Sequence, residues 1–146
     1  MKITILSVSK KDDIWGEGEE MYLKRLSRFT DLNIEKISHS DKDTESEKLL
    51  SKIEKTDYVI LLDENGSNIT SISFADLIEE KRNDSTKRIV FIIGGAYGVS
   101  EEIKTRANYS LSFGKMVWPH ALCRAMLLEQ IYRSFTILNN VPYHNE

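Results

Sequence analysis

Three short runs constrain this chain more than any other feature: Met1 to Val8 (MKITILSV), Asp57 to Leu62 (DYVILL) and Arg88 to Ile93 (RIVFII). All three are compact and rich in Ile and Val, so they read as buried strands. Leu32 to Ile37 is a weaker fourth strand and Tyr109 to Ser112 a brief fifth. Helical patterns lie between them. Trp15 to Arg28 carries Met21, Leu23 and Leu26; Thr44 to Ile53 opens with a capping box of Thr44 and Glu47; Ser73 to Lys81 is a short third. Ser100 is an N-cap with Glu101 and Glu102 in the first turn, and its helix runs to about Ala107. Pro119 opens the longest pattern, carried by Leu122, Ala125, Leu128, Tyr132 and Phe135 until Asn139 and Asn140 stop it. Parallel neighbours need crossover connections, so the alternation predicts one α/β domain over residues 1–146, with a mainly parallel sheet flanked by helices. Periodicity leaves the strand order open.

A chain of 146 residues can bury a sizeable core, and 40% hydrophobic with 29% charged residues is ordinary globular composition. The single cysteine, Cys123, excludes an internal disulfide, and no apolar run reaches the length of a membrane span, which makes the cytoplasm the expected compartment. Three histidines and one cysteine supply no zinc-ligand spacing, so no metal is expected. A net charge of −3 argues against a general polyanion binder. The charge is nonetheless uneven: Asp41 to Glu54 holds five acids and three bases, whereas Lys104 to Arg133 holds five bases and one acid.

Three stretches carry candidate chemistry. In FIIGGAYGVSEE, Gly94, Gly95 and Gly98 fall where a strand hands over to a helix, the place where open α/β sheets bind ligands. A tight turn would explain part of this; a ligand approaching bare backbone would explain more. The spacing is neither the dinucleotide fingerprint nor a P-loop, which disfavours a pyrophosphate. LSFGKMVWPHALCR, Leu111 to Arg124, reads as a loop between strand and helix that either lines a pocket or lays Trp118 and Met116 over the core; His120 and Arg124 stand one helical turn apart on the face toward it, positions that equally suit a surface cap and an ion-pair partner. The tail VPYHNE brings Tyr143 and His144 to a terminus that would ordinarily fray. No G-x-S-x-G elbow is present, which weighs against a serine hydrolase.

Taken together, IIGGAYGVS, YSLSFGKMVWPHALCR, LLEQIYRSFTILNNVPYH and the opening MKITILSVSK closely resemble the RlmH family, small bacterial SPOUT-superfamily methyltransferases acting on a pseudouridine of large-subunit ribosomal RNA. The resemblance covers essentially the whole chain. It implies a fold whose C-terminal segment is threaded into a deep trefoil knot, S-adenosylmethionine as methyl donor, a homodimer, and an active site completed by the second subunit. Carried over by motif, it implies a cofactor pocket of Leu62, Gly94, Gly95, Phe113, Gly114, Lys115, Met116, Val117 and Trp118. Gly114 stands where family members often carry serine, a change expected to loosen the loop.

The implied reaction is methylation of the pseudouridine ring at N3, with assembled ribosomes as substrate. That nitrogen carries a proton near neutral pH, so His144 or Tyr143 is expected to accept or relay it and Arg124 to stabilise the anion. Lys104, Arg106, Lys115, Arg124 and Arg133, joined by Arg25 and Arg28, are the candidate RNA contacts. The alternative is a non-catalytic small-ligand or RNA-binding module on the same fold.

Overall fold

Why the described residues form five strands and five helices is clearest in the sheet. The computed structural model describes residues 1–9 and 16–145; the expected helix start at Trp15 lies outside them. Strands β1 (Lys2–Ser9), β2 (Asp31–Ser38), β3 (Tyr58–Ser67), β4 (Arg88–Ile93) and β5 (Tyr109–Leu111) form one sheet in the order β2-β1-β4-β3-β5, every pairing parallel. The strands alternate with helices α1 (Gly16–Leu26), α2 (Lys42–Ser51), α3 (Ser71–Asn83), α4 (Glu101–Arg106) and α5 (His120–Leu138).

The period of two sorts the strand residues between two cores. Ile3 and Ile5 of β1, Ile60 of β3, and Ile89, Phe91 and Ile93 of β4 pack with Leu26, Phe74, Ile78, Leu127, Leu128, Ile131 and Phe135 of α1, α3 and α5. Leu6, Val8, Val59, Leu61, Val90 and Ile92 point the other way, toward Leu49 of α2 and Ile103 of α4. Both faces of β1 and β4 are therefore covered, which is why those strands read as unbroken apolar runs.

Three boundaries differ from expectation. The cap of α2 is Asp41, not Thr44: its carboxylate accepts from Thr44 N at 2.9 Å and from Thr44 Oγ1 at 2.7 Å, so the box shifts by one turn. Thr70 caps α3, which runs from Ser71 to Asn83 and is longer than Ser73 to Lys81. Strand β3 continues beyond Leu62 to Ser67 across a register shift against β5, where a side chain on Gly66 would meet the Ser110 carbonyl at 2.7 Å. By contrast, Ser100 caps α4 and Pro119 precedes α5, as expected.

At the amino ends of β3 and β4, Arg88 Nε donates to Asp57 Oδ1 at 2.9 Å, and Glu54 N donates to Asp57 Oδ2 at 2.7 Å. Burial pushes the Asp57 carboxyl up, but the bonds from Arg88 and the Glu54 amide outweigh it and hold it below the usual carboxylate range. This end of the sheet is pinned.

Candidate active site

At the opposite end the carboxyl termini of β4, β3 and β5 stand side by side, and the loops leaving them enclose a cleft of about 820 Å³. That volume suits a small-molecule ligand. Leu62, Gly94, Gly95, Phe113, Gly114, Met116, Val117 and Trp118 all line it; Lys115 does not, and is exposed. Met116 and Val117 are 73% and 85% exposed, a bare apolar rim. The Trp118 indole Nε1 is buried on the cleft wall with no hydrogen-bond partner among the described residues.

The glycines do not all serve the cleft. A side chain on Gly94 would lie 2.6 Å from Val99 Cγ1, and one on Gly95 would overlap the Glu45 carboxylate, 3.0 Å from its Cδ. The missing atoms at these two positions make room for the protein itself, which corrects the expectation that they leave space for a ligand. Gly98, at φ +79°, closes the turn by donating its N–H to Gly95 O at 3.0 Å. Gly114, at φ +111°, has open space around its missing side chain, and its N–H donates to Ser112 Oγ at 3.0 Å. A serine there would strain the backbone, so the loop is built around the glycine rather than loosened by it.

His120 lines the cleft, but Arg124 turns away from it. Its guanidinium is fully buried, donating to Glu19 of α1 and, at 3.0 Å each, to the Ser7 and Ser9 hydroxyls of β1. Burial pulls the Arg124 pKa down and the Glu19 carboxyl up, with Lys36 at 3.4 Å opposing the second. An arginine starts so high that it stays cationic. Arg124 thus ties α5 to α1 and β1.

The tail is docked, not frayed. Asn140, at φ +54°, ends α5 with Val141 N bonded to Thr136 O at 2.9 Å, a reversal that sends the chain back along the helix. Tyr143 meets Tyr132 edge-on at 4.9 Å and donates to Glu129 Oε1 at 3.0 Å. Arg133 also bonds Glu129 Oε1, at 2.7 Å, lies over the Tyr143 ring, and reaches His144 Nδ1 at 3.0 Å. Burial, followed by the contacts to Tyr22 and Glu129, raises the Tyr143 phenol far above its ordinary value, so it remains a donor. Arginine has only donors, so Nδ1 of His144 is the acceptor and a neutral ring carries its proton on Nε2.

None of Arg124, Tyr143 and His144 lines the cleft of its own chain. Glu129 does line a smaller cavity of about 350 Å³, which shares Leu111 and Phe113 with the cleft. Sequence reasoning missed Glu129 and gave Arg133 only an RNA contact; their separation of one helical turn, followed by Tyr-His, was the available signal.

The expected RNA-facing cations fare unequally. Arg106 donates to the Glu54 and Asp57 carbonyls, and Arg124 is buried; Lys104 remains at the cleft. Cys123 lines the cleft as well, its thiol pushed up by burial and hence no ready nucleophile. Among the described residues no group of His, Cys, Asp and Glu is placed to hold a metal ion, and no helix is long and apolar enough to cross a membrane.

An all-parallel α/β sheet with its cleft at the strand ends is the setting of the comparisons with known proteins. The chain belongs to the SPOUT methyltransferases: the family model described as "Predicted SPOUT methyltransferase" matches residues 1–144. More narrowly, it falls in the RlmH family, being similar to proteins named Ribosomal RNA large subunit methyltransferase H. That of Clostridium botulinum (strain Kyoto / Type A2) is 42% identical over 158 aligned positions, and that of Bdellovibrio bacteriovorus 41% over 155, each alignment covering 99% of both chains. That of Carboxydothermus hydrogenoformans is 42% identical at the same coverage.

Proposed function

We propose that this protein methylates ring N3 of a pseudouridine in large-subunit ribosomal RNA, on assembled ribosomes and in the cytoplasm, with S-adenosylmethionine as the donor. One observation carries the reading. Residues from three separated segments converge on one cleft at the carboxyl end of a parallel sheet, in a chain similar along 99% of its length to proteins named for that class of reaction.

The residues present fit the donor. Leu62, Leu111, Phe113 and Met116 offer an apolar wall for its adenosyl body, and the Trp118 Nε1 donor, otherwise unpaired among the described residues, suits its polar edge. When bound, S-adenosylmethionine supplies a methyl group already activated on a sulfonium. The protein's task is then to place and activate the nitrogen nucleophile.

Methyl transfer to N3 replaces the N–H proton, so negative charge develops on the imide as that proton leaves. The tail offers two donors for that charge, the Arg133 guanidinium and the Nε2–H of His144, while the Tyr143 hydroxyl, donating to Glu129, holds the carboxylate that orients Arg133. This differs from the roles expected of the sequence. His144 acts as a donor, Tyr143 positions Arg133 through Glu129, and Arg133, rather than the buried Arg124, supplies the cation; water carries the proton away.

Because the tail does not line the cleft of its own chain, the reading includes a homodimer in which one protomer's tail completes its partner's cleft. The knotted threading of the C-terminal segment is part of the same reading. The test is mass spectrometry of rRNA nucleosides from a deletion strain. Loss of one N3-methylated pseudouridine, restored by the intact gene, is the expected result, and an unchanged nucleoside profile would refute the reading.

A further inference from the structure

The segment between Gly94 and Ser100 is met at both ends by α2, through a close contact at Gly95 and a hydrogen bond at Ser100, although that helix contributes only Lys42 to the cleft surface. At the near end stands Glu45, in the first turn of α2 and only 1% exposed. Its Oε2 accepts from Ser40 N at 2.8 Å and bonds His39 Nδ1 at 2.9 Å, so this oxygen is committed. Its Oε1 is buried with no hydrogen-bond partner among the described residues, and it faces Gly95 so closely that a side chain there could not coexist with it. At the far end Ser46, the next residue of α2, accepts from Ser100 N at 3.0 Å through its hydroxyl. Between these contacts the loop makes the Gly95–Gly98 turn that lines the cleft. His39 reaches further along it, its ring 6.4 Å from that of the exposed Tyr97 at 26°.

A buried carboxylate that only filled space would be replaced at no loss by an apolar group, because burying charge is costly. Here the geometry has one oxygen anchored to the end of β2 through His39 and Ser40 and the other directed at the backbone that forms the cleft wall. We propose that Glu45 is the positioning residue of the methyl-donor site, fixing the 94–100 turn in the open form that a ligand can enter. Glu45 touches no ligand; it acts through Gly95. The inference rests on the cleft being the donor site.

The test uses the full chain as Glu45→Gln, Glu45→Ala, Gly95→Ala and the double variant Glu45→Ala/Gly95→Ala. Two readouts are taken: amide hydrogen exchange without ligand, and calorimetric affinity for S-adenosylmethionine. Glu45→Gln keeps the volume and loses the charge. It is expected to speed exchange across 94–100 by about tenfold and weaken affinity by about tenfold, because the Oε2 bonds to His39 and Ser40 that hold the side chain against Gly95 lose their charge assistance, with β1 and β4 protection unchanged. Glu45→Ala should do the same, and if it unfolds the chain the Gln variant decides. Gly95→Ala should be weak through steric conflict, and the double variant, relieved of that conflict, should stay as weak as Glu45→Ala. Wild-type exchange and affinity in Glu45→Gln would overturn the proposal. Recovery of both in the double variant would overturn it too, reducing Glu45 to a bulky neighbour. A wild-type chain that binds no S-adenosylmethionine would refute the donor reading instead, while the exchange experiment still decides the role of Glu45.

Discussion

The loop at 113–118 and the tail at 141–145 look alike as sequence: short, irregular, each with an aromatic residue and a basic one. Their structures are opposite. The loop leaves Met116 and Val117 bare and one indole N–H unanswered among the described residues, and its polar anchors include the bonds of the Ser112 hydroxyl with Gly114. The tail, at a terminus where fraying is the norm, is fixed by an edge-on ring contact, a phenol–carboxylate bond and a guanidinium–imidazole bond. A segment whose own chain does not complete its contacts is built to be completed by something else. One whose contacts are already made has its geometry set before any substrate arrives. Under the proposed function the loop is the binding element and the tail the chemical one.

Arg124 can break that division first, because it stands in α5 just after the loop and was expected to join the chemistry. Replacing it with alanine strands the Glu19 carboxylate in a buried site, and the expected loss is about 4 kcal/mol of unfolding free energy by denaturant titration. Loss of transfer at unchanged stability would move Arg124 to the chemical side.

Deleting residues 143–146 is the next largest change. Transfer to ribosomes should fall at least about a hundredfold, with S-adenosylmethionine affinity altered less than about twofold, in single-turnover and calorimetric assays. A parallel fall in both would merge the two regions into one. Trp118→Ala should show the reverse pattern: affinity weaker by about tenfold, with the rate at saturating donor nearly preserved.

The smallest effect sharpens the comparison from outside both regions. Asp57, at the far end of the sheet, has a folded pKa below its unfolded value, so its contribution to stability is present above about pH 4 and fades as pH falls through the lower folded value. Asp57→Asn should flatten that acid limb in thermal melts between about pH 2 and 5 while leaving donor affinity and transfer at neutral pH unchanged. A shift in either activity would mean that the two ends of the sheet are coupled.

Much of this was legible in the chain. Ile89, Phe91 and Ile93 alternate with Val90 and Ile92 because both faces of β4 are covered, and alternating helices between such runs leave few alternatives to a parallel sheet. The cap of α2 was misplaced since DKDT offers three capping residues, Asp41, Asp43 and Thr44, and only geometry shows the Asp41 carboxylate taking both Thr44 groups. The cleft residues sit at strand ends, so motif and topology agree. Glu45 and Glu129 could not be found that way: each looks like one more charge on a solvated helix, and their partners, Gly95 and Tyr143, lie 50 and 14 residues away. The reason for the glycines was misjudged for the same cause, since what a missing side chain makes room for is invisible until the neighbour is known.

β1 lies inside the sheet, between β2 and β4, and that placement bears on how the chain is made. Lys2 pairs with Asp31 on one side but with Arg88 on the other, so the first strand to leave a ribosome acquires its second neighbour only after most of the chain has followed. At about 5–20 residues per second that interval is roughly 5 to 15 s, during which one apolar edge, from Ile3 to Val8, stands open. Parallel pairing supplies no hairpin to shorten the wait. During its own synthesis the protein therefore passes through a long stage in which an interior strand of the finished sheet presents an unpaired edge, open to pairing with another chain.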